Sequence, residues 1–408
     1  MSRILAYSAP ALGHLLPLTA LLGELAGRGH EVHLRTLAAG VELGAGAGVQ
    51  TLPVDPRIEA IQSRDWTARG VFGVLKMTLD VLCRRAELEV DDLARAIAEV
   101  RPDALIVDAN CWGAMSAADA GDLPWAVFSP FTPFLRSRGL APVGPGMRPR
   151  RGPVGAFRDW GVRLVVDRVM DRPVLPRLNA LRAALGAPPV RSIDEFIRRA
   201  PLMLVVGGEP FEYPHPDWGE EVVFIGACAS DEAPQQAPAW LADDERPVVL
   251  VTTSSIRQAD DRLGVTALEA LAGEPVHVVV TFPAGVPEGL QVPPNATVCR
   301  YVPHGAVLDR AVCAVTHGGM GATVRALDRG VPVCVVPFGR DQPEVAMRVQ
   351  VAGCGTRLPA RMLTPARLRA KVREAMTMTA GARRVAAGFA ATGGVVRGAD
   401  LIEEQLLR

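Results

Sequence analysis

The fold is decided by residues 312–321, which read Val-Cys-Ala-Val-Thr-His-Gly-Gly-Met-Gly and continue at 322–327 as Ala-Thr-Val-Arg-Ala-Leu. A β-branched run ends at Thr316 and is followed by glycines and then by apolar residues at helical spacing. This pattern predicts a strand that passes directly into a helix. The first N–H groups of such a helix lack partners, and its dipole is positive there. The turn therefore predicts a seat for an anion such as a phosphate.

A second buried strand is predicted at residues 331–336, and Asp341 and Gln342 follow it. In an open parallel sheet, ligands bind outside the carboxyl ends of the strands. We therefore expect Asp341 and Gln342 to contact the group that is attached to the phosphate. His317 is expected to donate a further hydrogen bond to the phosphate. The alternative is that the glycines only permit a tight turn, with His317 as its cap.

The N-terminus repeats the passage from strand to helix. Residues 4–7 predict a strand, residues 8–14 a loop, and residues 15–28 a helix with Pro17 in its first turn. His14 then lies at the carboxyl edge of the strand. A neutral imidazole at a helix N-terminus suits a general base, because the positive end of the dipole disfavours its protonation.

Asp108 is the candidate partner of His14. It ends the predicted strand 105–107, and the neighbouring parallel strand would end beside the histidine loop. A carboxylate there would hold the imidazole in one tautomer and stabilise the imidazolium that forms. Taken singly, His14 is also a common capping residue, and Asp108 suits the N-cap of a helix starting near Trp112.

These segments together resemble glycosyltransferase family 1, whose members take a sugar from a nucleoside diphosphate using the GT-B fold. The family motif His-x-Gly-x-x-x-Thr reads here as His317, Gly319 and Thr323. The loop Gly13-His14-x-x-Pro17 resembles the family loop that carries the catalytic histidine. The resemblance covers nearly the whole chain and is strongest over residues 301–346.

The resemblance implies a role for each matching residue. His14 deprotonates the acceptor hydroxyl, and Asp108 orients His14. The anomeric configuration of the sugar inverts. The residues expected to bind the donor are Gly13, Ser254, Tyr301, Val302, His317, Gly318, Gly319, Met320, Gly321, Ala322, Asp341 and Gln342. No acidic pair resembles a metal clamp, so no metal ion is expected, and no cofactor beyond the nucleotide sugar.

Three positions leave the details of the donor site open. His304 replaces the glutamine usual in the nucleobase site, and Ser254 with Ser255 also fits an ordinary turn. Arg325 stands where relatives with uridine donors commonly have a glutamate that holds the ribose hydroxyls. A guanidinium cannot accept from a hydroxyl, so this position favours a deoxyribose donor such as a dTDP-sugar. The alternative is that Arg325 only faces solvent.

The bulk composition bounds the class of protein. With 408 residues the chain fits two domains, and its formal net charge of +0 provides no field that would attract nucleic acid or an anionic membrane. Its seven cysteines form no close pairs at metal-ligand spacing, which favours a reducing compartment. No signal peptide or membrane span is evident, so we expect a cytoplasmic protein, either monomeric or homodimeric.

The alternation of strands and helices predicts an α/β protein with two Rossmann-like, doubly wound domains facing a central cleft. The expected units are an acceptor-binding domain at 1–227, a linker at 228–247, a nucleotide-sugar-binding domain at 248–388, and a C-terminal helix at 389–408 that packs back on the first domain. Residues 131–161 have no periodicity and predict a functional lid or a solvated loop.

The acceptor is expected to be an apolar aglycone held by Trp66, Phe72 and Phe131, although ordinary core packing would also explain these aromatic residues. Residues 316–330 look closest to the enediyne antibiotic (calicheamicin-type) enzymes. The alternatives are a nucleotide-sugar epimerase of the same fold and a non-catalytic nucleotide-sugar-binding partner. A dinucleotide oxidoreductase is set aside, because the glycines at 44–48 do not follow the first strand.

Overall fold

The computed structural model describes residues 1–63, 67–68, 70–229, 238–242, 244–255, 258 and 260–408. Its strands form two sheets, one of seven strands from the first half of the chain and one of six from the second. All of the strand pairs within both sheets are parallel. This confirms the predicted α/β class with two parallel sheets.

The first sheet has the strand order β3-β2-β1-β4-β5-β6-β7. Its strand order reverses between β1 and β4, which makes their carboxyl ends the expected ligand edge. The strands are β1 (Arg3–Tyr7), β2 (Glu31–Thr36), β3 (Gln50–Pro53), β4 (Ala104–Asp108), β5 (Trp125–Ser129), β6 (Met203–Val205) and β7 (Val222–Phe224).

The second sheet has the order β10-β9-β8-β11-β12-β13 and reverses between β8 and β11. Three of its strands, β8, β9 and β12, are rich in valine and buried along their whole length, as in parallel sheets covered by helices on both faces. The strands are β8 (Val248–Thr252), β9 (His277–Thr281), β10 (Ala296–Cys299), β11 (Ala311–Thr316), β12 (Val333–Val335) and β13 (Gly355–Arg357). The seven cysteines of the chain are all free thiols.

Helices cover the sheets and connect the strands. Their bounds are α1 (Leu12–Gly27), α2 (Val41–Gly46), α3 (Pro56–Ala60), α4 (Gly70–Val100), α5 (Trp112–Ala120), α6 (Pro153–Ala184), α7 (Ile193–Ile197), α8 (Ala239–Ala242), α9 (Asp261–Leu271), α10 (His304–Leu308), α11 (Met320–Asp328), α12 (Gln342–Ala352), α13 (Pro365–Met376), α14 (Thr379–Ala391) and α15 (Gly394–Leu406).

The predicted start of the first helix was wrong. Helix α1 begins at Leu12, so His14 lies in its first turn instead of in a loop, and Pro17 lies inside the helix. A proline within a helix removes the hydrogen bond to the carbonyl four residues earlier, here that of Gly13. The remaining turns bury Leu18, Leu21 and their neighbours against the sheet, and this packing retains the helix.

The predicted long loop at 131–161 was also wrong in its second part. Helix α6 begins at Pro153, because Gly152 adopts a positive φ of 86° and proline is preorganised for a first helical position. Only the residues before it, 130–152, connect β5 to α6 without regular structure.

The C-terminal segment 389–408 was predicted as a helix that packs back on the first domain, and in the structure it holds the end of α14 and all of α15. Helix α14 extends to Ala391, and α15 begins at Gly394 after Gly393, whose φ is +84°. Helix α15 packs on α1, and Arg28, the C-cap of α1, forms ion pairs of 2.8 Å with Asp400 and with Glu403. The end of the chain therefore contacts the half that holds the first sheet.

The predicted linker at 228–247 lies between the last strand of the first sheet and the first strand of the second. Residues 230–237 and 243 of that segment lie outside the described residues. The domain boundaries at 227, 247 and 388 stay predictions.

One stretch, Thr379–Leu406, is long and apolar enough to pass a test for a membrane span by length and composition. The structure divides it into α14 and α15, which meet at Gly393. Each half packs on another helix, α14 on α11 and α15 on α1. We therefore interpret this stretch as two packed helices.

Candidate active site

The turn between β11 and α11 is shaped by two glycines. Gly318 has a φ of +93°, and a Cβ there would approach Val335 and Gln342 to 3.0 Å. Gly319 is the N-cap of α11, and none of the described side chains caps this helix. The N–H groups that begin α11 therefore face the cleft without a side-chain partner, as an anion seat requires.

His317 lies beside this turn and is buried, with 8% of its surface exposed. Burial lowers its pKa to about 4, although the nearby backbone of Thr252 acts in the opposite direction. A Cβ on Gly319 would collide with His317 Nε2, so the imidazole needs the glycine next to it. At neutral pH this histidine is an uncharged ring that can donate one N–H.

Gln342 is engaged in a chain of hydrogen bonds at the start of α12. Its Oε1 accepts from the backbone N–H groups of Phe338 (2.7 Å) and Gly339 (3.0 Å). Its Nε2 donates to Gln258 (2.6 Å), which in turn donates to Ser254 Oγ (2.7 Å). A sugar hydroxyl could bind Gln342 only by replacing one of these hydrogen-bond partners. Gln258 was missed in the sequence, because no local pattern marks it.

Ser254 is also tied through its backbone. Its N–H donates to Asp260 Oδ2 at 2.7 Å, and the same oxygen lies 3.8 Å from His317 Nδ1. Burial raises the pKa of Asp260, and the hydrogen bond from Ser254 opposes that rise. Asp260 was likewise not identified from the sequence. The structure thus brings together Ser254, His317 and Gln342 at the carboxyl edge of the second sheet.

The predicted nucleobase site is on the other side of the same edge. Tyr301 is 66% exposed and Val302 is buried. Burial lowers the pKa of His304 to about 4, and the nearby charge of Arg325 lowers it further. Arg325 is half-buried. Its charge is therefore part of this site, contrary to the alternative that it only faces solvent.

His14 faces this edge from the first sheet. Its Nδ1 lies 3.0 Å from Asp108 Oδ1 and 2.8 Å from Oδ2. Burial by itself would lower the pKa of His14, but the charge and hydrogen bond of Asp108 outweigh it, so the pKa is raised. Asp108 is fully buried, and its Oδ1 also accepts the N–H of Asn110 at 2.8 Å.

The pairing follows from strand order. Tyr7 of β1 pairs with Val107 of β4, so the residues that follow each strand lie side by side. The amide Nδ2 of Asn110 lies 3.5 Å from His14 Nε2, the nitrogen that remains for a substrate. Asn110 was not singled out in the sequence. Its place two residues after Asp108 is the signal that would have found it.

Asp341 connects the two sides. It is the N-cap of α12, its pKa is raised by burial, and the charge of His14 opposes that rise. In turn, Asp341 contributes to the raised pKa of His14. The carboxylate predicted to meet the sugar therefore lies within electrostatic range of the histidine predicted to act as the base.

The predicted acceptor-binding residues differ in what the structure describes. Phe131 lies against His14, with ring centroids 5.6 Å apart, and Phe134 lies 6.1 Å from Phe131. Trp66 and the side chain of Phe72 lie outside the described residues. Among the described residues, no three His, Cys, Asp or Glu side chains are grouped so as to hold a metal ion.

Two comparisons of sequence show which proteins this chain is similar to. A family model described as "Erythromycin biosynthesis protein CIII-like, C-terminal domain" matches residues 266–394. The chain is 32% identical over 419 residues to 4'-demethylrebeccamycin synthase of Lentzea aerocolonigenes, covering 98% of this chain and 99% of that protein.

Solved structures show the same architecture. The calicheamicin glycosyltransferase CalG4 superposes with a TM-score of 0.73 at 22% identity, covering 100% of this chain and 98% of that one. The glycosyltransferase VinC in complex with dTDP superposes with a TM-score of 0.68 at 23% identity, covering 98% and 99%. At these identities the two structures establish the GT-B fold.

Proposed function

This chain belongs to glycosyltransferase family 1, among the bacterial enzymes that act on natural-product aglycones. We propose that it transfers a sugar or deoxysugar from a dTDP-sugar donor to a hydroxyl group of an antibiotic-type aglycone and inverts the anomeric configuration. His14 is the general base in this proposal. The observation that carries it is the contact of His14 Nδ1 with Asp108, while Asp341 lies within electrostatic range on the opposite side.

The proposed step is a single displacement. His14 Nε2 takes the proton of the acceptor hydroxyl as the hydroxyl oxygen attacks the anomeric carbon. The bond from that carbon to the diphosphate oxygen breaks on the opposite face, and its electron pair leaves with the nucleoside diphosphate. Asp108 stabilises the imidazolium that forms and holds the Nδ1–H tautomer.

The diphosphate leaves from the turn at 317–322. Gly318 and Gly319 form the turn, and Met320, Gly321 and Ala322 begin the uncapped helix α11, whose backbone N–H groups stabilise developing negative charge. His317 adds its N–H as an uncharged donor. Because these donors replace a cation at the diphosphate, we expect turnover to persist in EDTA.

The donor base and ribose are assigned to the surface next to α10 and α11. Tyr301 offers an exposed ring for stacking, Val302 its backbone, and Gly13 open space at the start of α1. Arg325, half-buried beside His304, cannot accept from a ribose 2′-hydroxyl. This supports a deoxyribose donor, and the dTDP complex of VinC is consistent with it.

The acceptor is assigned to the side of His14 that Phe131 covers. A flat, apolar aglycone of the antibiotic type would pack on Phe131, with Trp66 and Phe72 as further proposed contacts. The relative named 4'-demethylrebeccamycin synthase is not an enediyne enzyme by name, so the enediyne subgroup stays a prediction. Cytoplasmic localisation and a monomeric or homodimeric state stay expectations as well.

Two other functions make different demands on the same site. A non-catalytic nucleotide-sugar-binding partner has no need of the His14–Asp108 pair. A nucleotide-sugar epimerase would need further carboxylates in the cleft for its own acid–base steps. The His14 ring has Asp108 and Asn110 as polar neighbours and Asp341 within electrostatic range, and this arrangement fits deprotonation of a hydroxyl better than either alternative.

A thermal-shift screen tests donor and class together. A ligand that binds only the folded state at a hundred times its Kd adds about 2.7 kcal/mol of apparent stability. We expect dTDP to raise the melting temperature more than UDP or GDP does, and NAD to leave it unchanged. Stabilisation by NAD alone would overturn the proposed function, and equal stabilisation by UDP would overturn the assignment of the donor.

A further inference from the structure

Residues 130–152, here called the 130–152 loop, are held in place by carboxylates. Asp194 accepts the backbone N–H of Arg136 at 2.6 Å, and Asp217 accepts the N–H of Arg138 at 3.0 Å. Both acids belong to the half with the first sheet. Near its far end the loop binds the other half, because Glu344 of α12 accepts the N–H groups of residues 144 (2.8 Å) and 146 (2.7 Å).

Glu344 is one member of a buried ionic network between the halves. Its second oxygen accepts from Arg348 Nη1 at 2.7 Å, and Arg348 Nε donates to Glu212 at 2.6 Å. Glu212 also accepts the hydroxyl of Thr132, near the start of the same loop, at 2.7 Å. Burial opposes ionisation of Glu212, but Arg348 outweighs it and lowers its pKa to about 2. Both ends of the loop therefore depend on one guanidinium.

The loop and α12 also touch directly. Gly146 has a φ of +60°, and a Cβ there would collide with the carbonyl oxygen of Pro343. Pro343 follows Asp341 and Gln342, the pair assigned to the donor sugar. The loop backbone therefore rests on the residue next to the proposed sugar site.

The start of the loop reaches the proposed acceptor site. Phe131 lies against His14, and Ser129 donates its hydroxyl to the carbonyl of Phe131 at 2.7 Å. Thr132, bound to Glu212, is the next residue. The segment that presents Phe131 to the base is thus anchored to the network that α12 supplies.

We propose that Glu344 and Arg348 are positioning residues through which the donor half shapes the acceptor pocket. A nucleotide sugar at Asp341 and Gln342 steadies the start of α12, and α12 in turn holds the 130–152 loop with Phe131 beside His14. This inference rests on the proposed function, because that function assigns the sugar to Asp341 and the acceptor to Phe131.

Removing one member of a buried ion pair leaves an uncompensated charge and endangers folding. The test therefore uses a substitution at Gly146, which is not part of the ion pairs. Gly146→Ala separates the loop from Pro343, and Gly139→Ala is the matched control. Gly139 lies on the same loop with a φ of +81°, but a Cβ there meets nothing within 4 Å. The two variants share the strain of a positive φ and differ only in the contact.

We expect Gly146→Ala to raise the KM for the acceptor by roughly tenfold, because a displaced loop misplaces the groups that orient the substrate. The affinity for dTDP should stay at the wild-type value, and Gly139→Ala should match the wild type in both measurements. An equal rise of KM in both variants would mean that only loop strain acts. No rise in either would overturn the coupling.

Hydrogen exchange separates this inference from the proposed function, because it needs no turnover. In the ligand-free protein, residues 130–152 should exchange faster in Gly146→Ala and in Glu344→Gln than in the wild type and Gly139→Ala. Addition of a dTDP-hexose, which carries a sugar for Asp341 and Gln342, should slow this exchange in the wild type and not in Gly146→Ala. Equal exchange in all four ligand-free proteins would overturn the inference, whereas a failure of dTDP to bind would overturn the proposed function alone.

Discussion

His14 and His317 occupy similar places in the two halves, but their pKa values are shifted in opposite directions. Each follows a parallel strand and stands at the start of a helix, α1 for His14 and α11 for His317. The pKa of His14 is raised, and that of His317 is lowered to about 4. The same local motif therefore does not determine whether a histidine is a base or a neutral donor.

The difference comes from the neighbouring strand. Strand β4 ends in Asp108, whose carboxylate contacts His14 Nδ1. Strand β8 ends in Thr252, which offers His317 only its backbone, and the carboxylate of Asp260 is 3.8 Å away. A charged partner stabilises an imidazolium against burial, whereas a neutral one does not. In the proposed function, the first half therefore carries proton transfer and the second half stabilises the charge of the diphosphate.

The largest effect should come from removing the base. His14→Ala should lower kcat by roughly 10²–10⁴-fold, the usual contribution of general-base catalysis. Steady-state transfer assays measure kcat, and calorimetric titration with dTDP should show unchanged donor affinity. His33→Ala is the control, since His33 pairs with Glu31 on β2, away from the cleft. Turnover of His14→Ala at the wild-type rate would refute the base assignment.

The partner should matter next. Asp108→Asn keeps the shape but removes the charge, so kcat should fall by about 10²-fold, the lower part of the range for a general base. The base works unprotonated, so the acid limb of the wild-type pH–rate profile should lie above 6.5, the ordinary histidine pKa. In Asp108→Asn this limb should move to lower pH. An unmoved limb would show that Asp108 does not set the pKa of His14.

The donor histidine should have a smaller effect. His317→Ala removes one hydrogen bond to a charged group, worth about 1.5–3 kcal/mol, so dTDP should bind roughly ten to a hundred times more weakly. The loss should be the same at pH 6 and pH 8, because a pKa of about 4 leaves His317 uncharged at both. Titration calorimetry at the two pH values measures it. A loss confined to pH 6 would indicate a charged imidazole instead.

The smallest effect on activity is expected at Glu89, a buried acid close to Asp108. Burial raises its pKa to about 8, although the N–H of Gly113 at 2.8 Å opposes this rise. It is therefore mostly protonated at pH 7, and Glu89→Gln should retain wild-type kcat there.

Glu89 should instead affect stability at higher pH. The folded state retains its proton above the ordinary glutamate pKa of 4.5, so the free energy of unfolding falls as the pH rises from there to about 8. Glu89→Gln should flatten that fall in urea unfolding, and the exposed Glu87→Gln should not. A steep fall that persists in Glu89→Gln would assign it to another group.

Much of the site was predictable because its signals are local. The runs at 312–316 and 331–336 predicted strands by their apolar β-branched residues, and the glycines at 318–319 predicted the turn. The pairing of His14 with Asp108 was inferred from one topological rule, that the ends of neighbouring parallel strands meet.

Other residues could not be identified from the sequence. Glu344 and Arg348 have the spacing of an ordinary helical ion pair, which is common on solvated surfaces. Nothing in that spacing shows that both are buried or that Glu344 accepts from residues 200 and 198 positions away. Gln258 and Asp260 are similar cases, because each acquires its role from a strand or helix distant in sequence.

The sequence by itself determined the two parallel sheets, the turns at their carboxyl ends and the histidine in each turn, because hydrophobic period and glycine conformation act over a few residues. Only the tertiary structure decided which histidine gains a proton more readily and how the 130–152 loop is held. Those properties depend on desolvation and on charges brought close from far along the chain, such as Asp108, 94 positions from His14.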